Sequence, residues 1–246
     1  MFLAAWAYGT CLVFLFAPLH ETIHGTAFRS RWLNRTVSTA CGWILVLPPR
    51  YFRAFHFEHH RHTQDPERDP ELATPPPRTW REYLWRLTGV PYWMDQVRAI
   101  TRHAAGHVTE SWIASSERAR IVLEARLFLA GYAALGAVST ATASTLLIWC
   151  WIVPVLLGQP MLRLYLMAEH TGCPTSPDML ENSRTVHTNA LVRFLAWNMP
   201  FHVEHHEYAA VPFHALPRLH AELAPRIRNR SEGYVQVHRE LARSFR

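Results

Sequence analysis

The sequence predicts an all-α integral membrane protein whose helical cap, on one side of the bilayer, carries a cluster of histidines. Three observations lead there. Apolar residues are gathered into blocks of helix length that carry few charges, arginines are banked against the same ends of those blocks, and histidines recur at the i, i+3 and i+4 positions of a helix face. The 246 residues are expected to form one domain over 1-246. With 49% hydrophobic residues and only 10 Gly and 17 Pro, the chain is neither disordered nor collagen-like. A mean hydropathy of −0.07 therefore averages two kinds of segment. All 25 basic residues are Arg, so the formal charge of +6 persists at any working pH. Cys11, Cys41, Cys150 and Cys173 lie far apart with no CxxC, which suggests neither a disulfide framework nor a cysteine-held metal centre.

The first block, residues 1-19, holds no charge and approaches the roughly 20 residues a helix needs to cross a bilayer. It lacks the basic start and small-residue cleavage site of a signal peptide, so it is expected to stay as a span. Residues 36-49 are apolar but short and end in Pro48-Pro49, which suits a re-entrant or interfacial segment. Residues 121-139 and 146-167 read as two further spans joined by the small polar run Ser139 to Thr145. Arg29, Arg31 and Arg35 follow the first block, and Arg118, Arg120 and Arg126 precede or open the third. The positive-inside rule makes those ends cytoplasmic. Between them, Trp80, Tyr83, Trp85, Tyr92 and Trp93 suit the headgroup region. The chain from Cys173 onward is polar, helix-prone and ends in a basic tail.

Histidine spacing carries the chemistry. His20 and His24 stand at i and i+4, and His56-x-x-His59-His60 recurs as His202-x-x-His205-His206. On a helix each triplet faces one way and offers three ligands to a metal. Each box lies at the expected cytoplasmic end of a span, so all three can meet. Eight imidazoles exceed one zinc site and match two six-coordinate ions with open positions, for which a pair of irons able to bind O2 is the economical reading. Glu21, Glu58 and Glu204, inside the boxes, are candidates to orient imidazole N–H groups. His103 and His107 also fit HxxxH and are expected to be interfacial.

The three boxes resemble those of the membrane fatty acid desaturase superfamily, which includes hydroxylases and alkane monooxygenases. His60-Arg61-His62-Thr63, the acidic run Thr63 to Glu71, Asn198 to His206, and Val211 to Pro217 are similar to the segments that accompany those boxes. The likeness covers most of the chain. It implies a ninth ligand, His170 in Ala168-Glu169-His170-Thr171-Gly172, and makes Asp65, Asp69, Asn198, His62 and His187 further candidates to support the ligands. His214 and His220 are weaker candidates.

What the resemblance implies is a non-haem di-iron centre with two Fe ions held by His20, His24, His56, His59, His60, His170, His202, His205 and His206. No catalytic residue is expected beyond these ligands. The implied reaction is O2-dependent desaturation of a fatty acyl chain, with hydroxylation of an alkyl or lipid substrate as the alternative on the same site. Phe14, Phe16, Trp149 and Trp151 could line a channel for the chain, although facing lipid or one another is the simpler expectation for each. Electrons would come from a separate ferredoxin-, rubredoxin- or cytochrome-type donor, steered to the Arg-rich face. The expected location is a bacterial inner membrane, multi-pass, with the boxes on the cytoplasmic side; no nucleic acid partner is expected. A reading of another class, a non-enzymatic haem-binding or metal-transport protein, would need His or acidic pairs inside the membrane, and the boxes sit at the ends.

Overall fold

A computed structural model describes residues 2–245; Met1, in the first expected span, lies outside the described residues. The chain is mostly helical. Three helical stretches are long and apolar enough to cross a membrane: Phe2–His24, Ser115–Ala141 and Ile148–His170. Each extends beyond the apolar block that announced it, because the polar and histidine-bearing turns at their ends continue the same helices.

The first stretch is broken into α1 (Phe2–Val13) and α2 (Phe16–His24). Pro18 explains the break, since it has no N–H to give the Phe14 carbonyl and its ring crowds that group. The carbonyl accepts from the Ala17 N–H instead, at 2.9 Å. After a turn at Gly25, α3 (Arg31–Leu45) packs back along α2, its start capped by Ser30. The segment expected to be re-entrant is thus the greater part of a 15-residue helix that begins earlier, at Arg31. Pro48 and Pro49 do more than stop it, because Pro49 is the first residue of α4 (Pro49–His62), where a missing N–H costs nothing.

Next come α5 (Trp80–Leu87) and α6 (Val90–Ala104), then the long α7 (Ser115–Ala141). A five-residue π-helical turn, Ile148–Ile152, opens α8 (Val153–His170). Pro154 cannot serve the Cys150 carbonyl, and the Tyr8 hydroxyl of α1 donates to it across the interface at 3.1 Å. Here α1 and α8 pack backbone to backbone. A Cβ on Gly9 would fall 1.9 Å from the Pro154 carbonyl oxygen, and one on Gly158 would fall 2.3 Å from the Gly9 carbonyl carbon. Small residues allow this approach where no hydrophobic force acts between helices.

The cap is completed by α9 (Met179–Asn182), α10 (Ala190–Leu195), α11 (His202–Glu207), α12 (Leu216–Leu223) and α13 (Tyr234–Arg243). Two short strands, β1 (Thr185–Val186) and β2 (Arg230–Ser231), pair in parallel and tie the cap together. The main core cluster joins α1 and α8 to the cap through Val13, Phe14, Leu162, Tyr165, Met199, Phe201 and Leu216.

Two expectations change here. Tyr83 turns inward, its hydroxyl 3.0 Å from His238 Nδ1, whereas Trp80 and Trp85 remain exposed. His103 is buried, with Nε2 2.9 Å from a Glu110 carboxylate oxygen, while His107 is exposed. The loop after α6 folds back over the helix end, so His103 packs against Glu110 and His107 alone stays on the surface.

Candidate metal centre

Four elements bring the imidazoles together: α2 with His20 and His24, α4 with His56, His59 and His60, the last residue of α8 with His170, and α11 with His202, His205 and His206. They sort into two adjacent groups. The nitrogens of His20, His24, His56, His60 and His205 lie within 4.8 Å of one another, as do those of His59, His170 and His206. His202 joins the second group, its Nε2 2.8 Å from His170 Nε2. The i, i+4 pair of α4 serves the first group and the intervening His59 the second. α11 does the reverse, with His202 and His206 in the second group and His205 in the first. Helical spacing thus splits each triplet between two positions, where the sequence suggested three ligands facing one way. The groups abut through His60 and His206, whose rings stack at 4.1 Å.

In the second group three imidazoles turn Nδ1 to a hydrogen-bonding oxygen, and the fourth, His202, turns it toward a carboxylate without bonding it. His59 Nδ1 lies 3.0 Å from Asp69 Oδ1, His170 Nδ1 3.2 Å from the Asn182 carbonyl, His206 Nδ1 3.2 Å from Thr63 Oγ1, and His202 Nδ1 3.3 Å from Glu169 Oε1. A carbonyl or carboxylate only accepts, and the Thr63 hydroxyl gives its own proton to the His59 carbonyl at 2.8 Å, so in the neutral rings of His59, His170 and His206 the proton sits on Nδ1 and the Nε2 lone pair points inward. His59 and His170 then direct lone pairs at each other across 3.2 Å. Such an arrangement is repulsive unless a cation, proton or metal, is shared. In the first group His60 Nε2 stands 2.9 Å from His56 Nε2 and 3.1 Å from His205 Nε2, while His20 Nδ1, His24 Nε2 and His205 Nδ1 are buried without partners. Orphaned buried nitrogens are costly, and a metal in each group would use the inward ones. The donor set fits two ions of the kind that take imidazole, iron among them.

Electrostatics agrees. Burial, reinforced by neighbouring imidazoles, holds His56, His60, His202, His205 and His206 well below the ordinary imidazole range, so they are neutral and able to bind. His59 differs: burial pushes it down, but Glu71 and Asp69 outweigh burial and hold it above its ordinary value. Asp69 is raised by burial and lowered more by His59 and the Gln64 and Glu71 backbone N–H groups, so it stays ionised.

Of the residues expected to support the ligands, Asp69 faces an imidazole of the site. Glu21 is fully buried but accepts from Thr26 Oγ1 at 2.7 Å and from the Phe213 N–H at 3.0 Å, joining α2 to the segment after α11. Glu58 pairs with Arg61 and lies 3.6 Å from His62, and neither it nor His62 reaches the cluster. Asp65 accepts from the Glu67 N–H in a turn. Asn198, in the left-handed region at φ 56, donates to the Phe213 carbonyl at 3.2 Å and sets the loop before α11. Glu204 turns away from the ligands toward Thr185 Oγ1, at 2.6 Å, and His220. His187 stands 3.4 Å from Glu232 and packs edge-on to His220, outside both groups. His214 packs edge-on to Phe213. These residues were placed by sequence proximity to the boxes, but a helix sends neighbouring positions to different faces. The Asn182 carbonyl was not foreseen, since a backbone oxygen leaves no mark on residue identity; Glu169 and Thr63 stood in quoted segments without an assigned role.

Beside the first group, Phe14, Phe16, Ala17, Leu162 and Met199 line a small apolar cavity whose polar edge is His20, Tyr165 and Glu169. Trp149 faces outward, and Trp151 donates to the Ile44 carbonyl at 2.8 Å, so neither lines that cavity.

Residues 1–238 match the fatty acid desaturase family. An sn-1 oleoyl-lipid 12-desaturase from Synechocystis sp. is 25% identical over 233 residues, spanning 87% of this chain and 66% of the relative's own length.

Proposed function

The chain belongs to the fatty acid desaturase family, and from that premise we propose that it is a membrane-bound non-haem di-iron oxidoreductase that desaturates the acyl chain of a lipid. The observation that carries this is the pair of abutting imidazole groups, five and four strong, with lone pairs turned inward. His20, His24, His56, His60 and His205 would hold one iron, and His59, His170, His202 and His206 the other. Bound there, iron would supply O2 activation and removal of hydrogen from an unactivated C–H bond.

The chain's own residues do the rest. Asp69, Thr63 and the Asn182 carbonyl fix the tautomer and aim of His59, His206 and His170 in the second group. Phe14, Phe16, Leu162 and Met199 offer apolar contact to an alkyl chain next to His20 and exclude water from it. Electrons are proposed to come from a separate acidic carrier docking on the Arg-rich face, with the boxes on the cytoplasmic side.

The test is metal and product together. Detergent-purified protein is expected to hold about two irons per chain without a porphyrin band, and membranes expressing it are expected to gain lipid double bonds. One zinc per chain, or a haem spectrum, would overturn the proposal; new hydroxyl groups in place of double bonds would convert it to the hydroxylase alternative.

A further inference from the structure

Arg163 has no part in the proposed chemistry, yet it sits on α8 about 10 Å before His170 at the usual helical rise. An ionisable side chain within a span is expensive and marks a function. Its guanidinium stands 4.4 Å over the Tyr92 ring, and its Nε is closed off from solvent without a partner. Glu71 and Glu169 are close enough to act on its charge, but neither hydrogen-bonds it, and the basic side chains nearest them are His59 and His202.

The surroundings repeat the pattern. One turn earlier Gln159 is 1% exposed with both amide atoms unpartnered, and Trp93 Nε1 is buried and unpartnered as well. Gly89, at φ 72, seats the start of the 15-residue α6 on Gln159: a Cβ there would fall 2.1 Å from Gln159 Cγ. Buried donors from Gln159, Trp93 and Arg163 therefore lie by the start of α6 without hydrogen-bond partners, with the Gln159 Oε1 unpartnered beside them. Leaving such groups unpaired is costly, and a helix N-terminus beside a guanidinium favours an oxyanion.

We infer that this place between α6 and α8 binds the phosphate of an anionic lipid head. The lipid origin follows from the flanks, where Leu84, Trp85, Val90, Met94 and Val97 expose an apolar face along α5 and α6. Leu162, adjacent to Arg163, lines the apolar cavity beside His20. That this lipid is also the acyl substrate rests on the desaturase reading; the phosphate site does not.

The experiment exchanges purified protein into mixed phosphatidylglycerol and phosphatidylcholine and measures retained lipid by native mass spectrometry. The wild type is expected to enrich phosphatidylglycerol. Arg163→Gln and Gln159→Glu should lose that enrichment about tenfold through the lost charge-assisted contact or an added like charge, with metal content unchanged. Arg163→Lys should keep part of it, and Arg239→Gln on the exposed face of α13 all of it. Equal enrichment in Arg163→Gln overturns the site, and displacement by inorganic phosphate as readily as by lipid overturns the lipid source. Should the variants not fold, exchange of the Tyr92 amide and the Trp93 indole N–H in the wild type decides: slower exchange in phosphatidylglycerol than in phosphatidylcholine supports the site, and no difference overturns it. Retention needs no turnover, so a chain that holds lipid but oxidises nothing fails the desaturase reading alone.

Discussion

His205 is the imidazole whose loss should be felt most, because it belongs to the first group yet comes from the helix that chiefly serves the second. His205→Ala is expected to leave about one iron per chain and to lower product by at least about 100-fold, since metal ligands outweigh the supporting contacts that already cost 10–100-fold; iron assay beside lipid profiling checks both. Asp69→Asn acts one bond further out. It keeps the size of the side chain but weakens the acceptor for His59 Nδ1, so metal affinity should fall roughly 10-fold or more. Chelator titration of the two proteins measures this, and equal resistance would remove Asp69 from the role. Glu58→Gln, by contrast, should leave iron unchanged, because Glu58 pairs with Arg61 away from the cluster.

At the scale of elements, the crossing of α1 and α8 depends on the absence of side chains at Gly9 and Gly158. Gly158→Leu forces the helices apart and should cost about 3 kcal/mol or more as overpacking with loss of neighbouring contacts. The detergent melting temperature is expected to drop with it. The end of α6 is held differently, by His103 and Arg102 on Glu110. Burial raises the Glu110 carboxyl, but His103, its own N–H and Arg102 prevail and bring it to about 2 from an ordinary 4.5. A lowered folded-state pKa means that this stabilisation is complete above pH 4.5 and lost as pH falls toward 2. The melting advantage of wild type over Glu110→Gln should therefore shrink through that window, and an advantage independent of pH would refute the assignment.

For the whole molecule, the arrangement of spans sets which side would meet the proposed electron donor. In a cysteine-free background, Ser144→Cys, in the turn between α7 and the π-helical start of the last span, is expected to react with an impermeant thiol reagent from outside. Ala209→Cys, just past the third box, should react only after permeabilisation. The same geometry presents a surface whose basic residues are all Arg. Turnover with an acidic carrier should accordingly slow as salt rises, because steering over a Debye length of about 8 Å at physiological ionic strength is screened.

Composition and spacing alone pointed to the class of the molecule and to eight of the nine clustered imidazoles. Apolar blocks of helix length have few alternatives in water, and HxxHH on a helix keeps its three imidazoles within one cluster. His170, a single histidine without local spacing, was legible only by resemblance. Tertiary structure decided the rest. It assigned His59 to one group and its neighbour His60 to the other, turned Glu204 toward His220, gave His170 a backbone carbonyl as its acceptor, and buried His103 against Glu110. It also left Arg163 and Gln159 without acceptors. The physical reason is common to all of these. Periodicity says which residues share a face of one helix, whereas the atom each side chain meets is supplied by a second element, brought there by the packing of the whole chain.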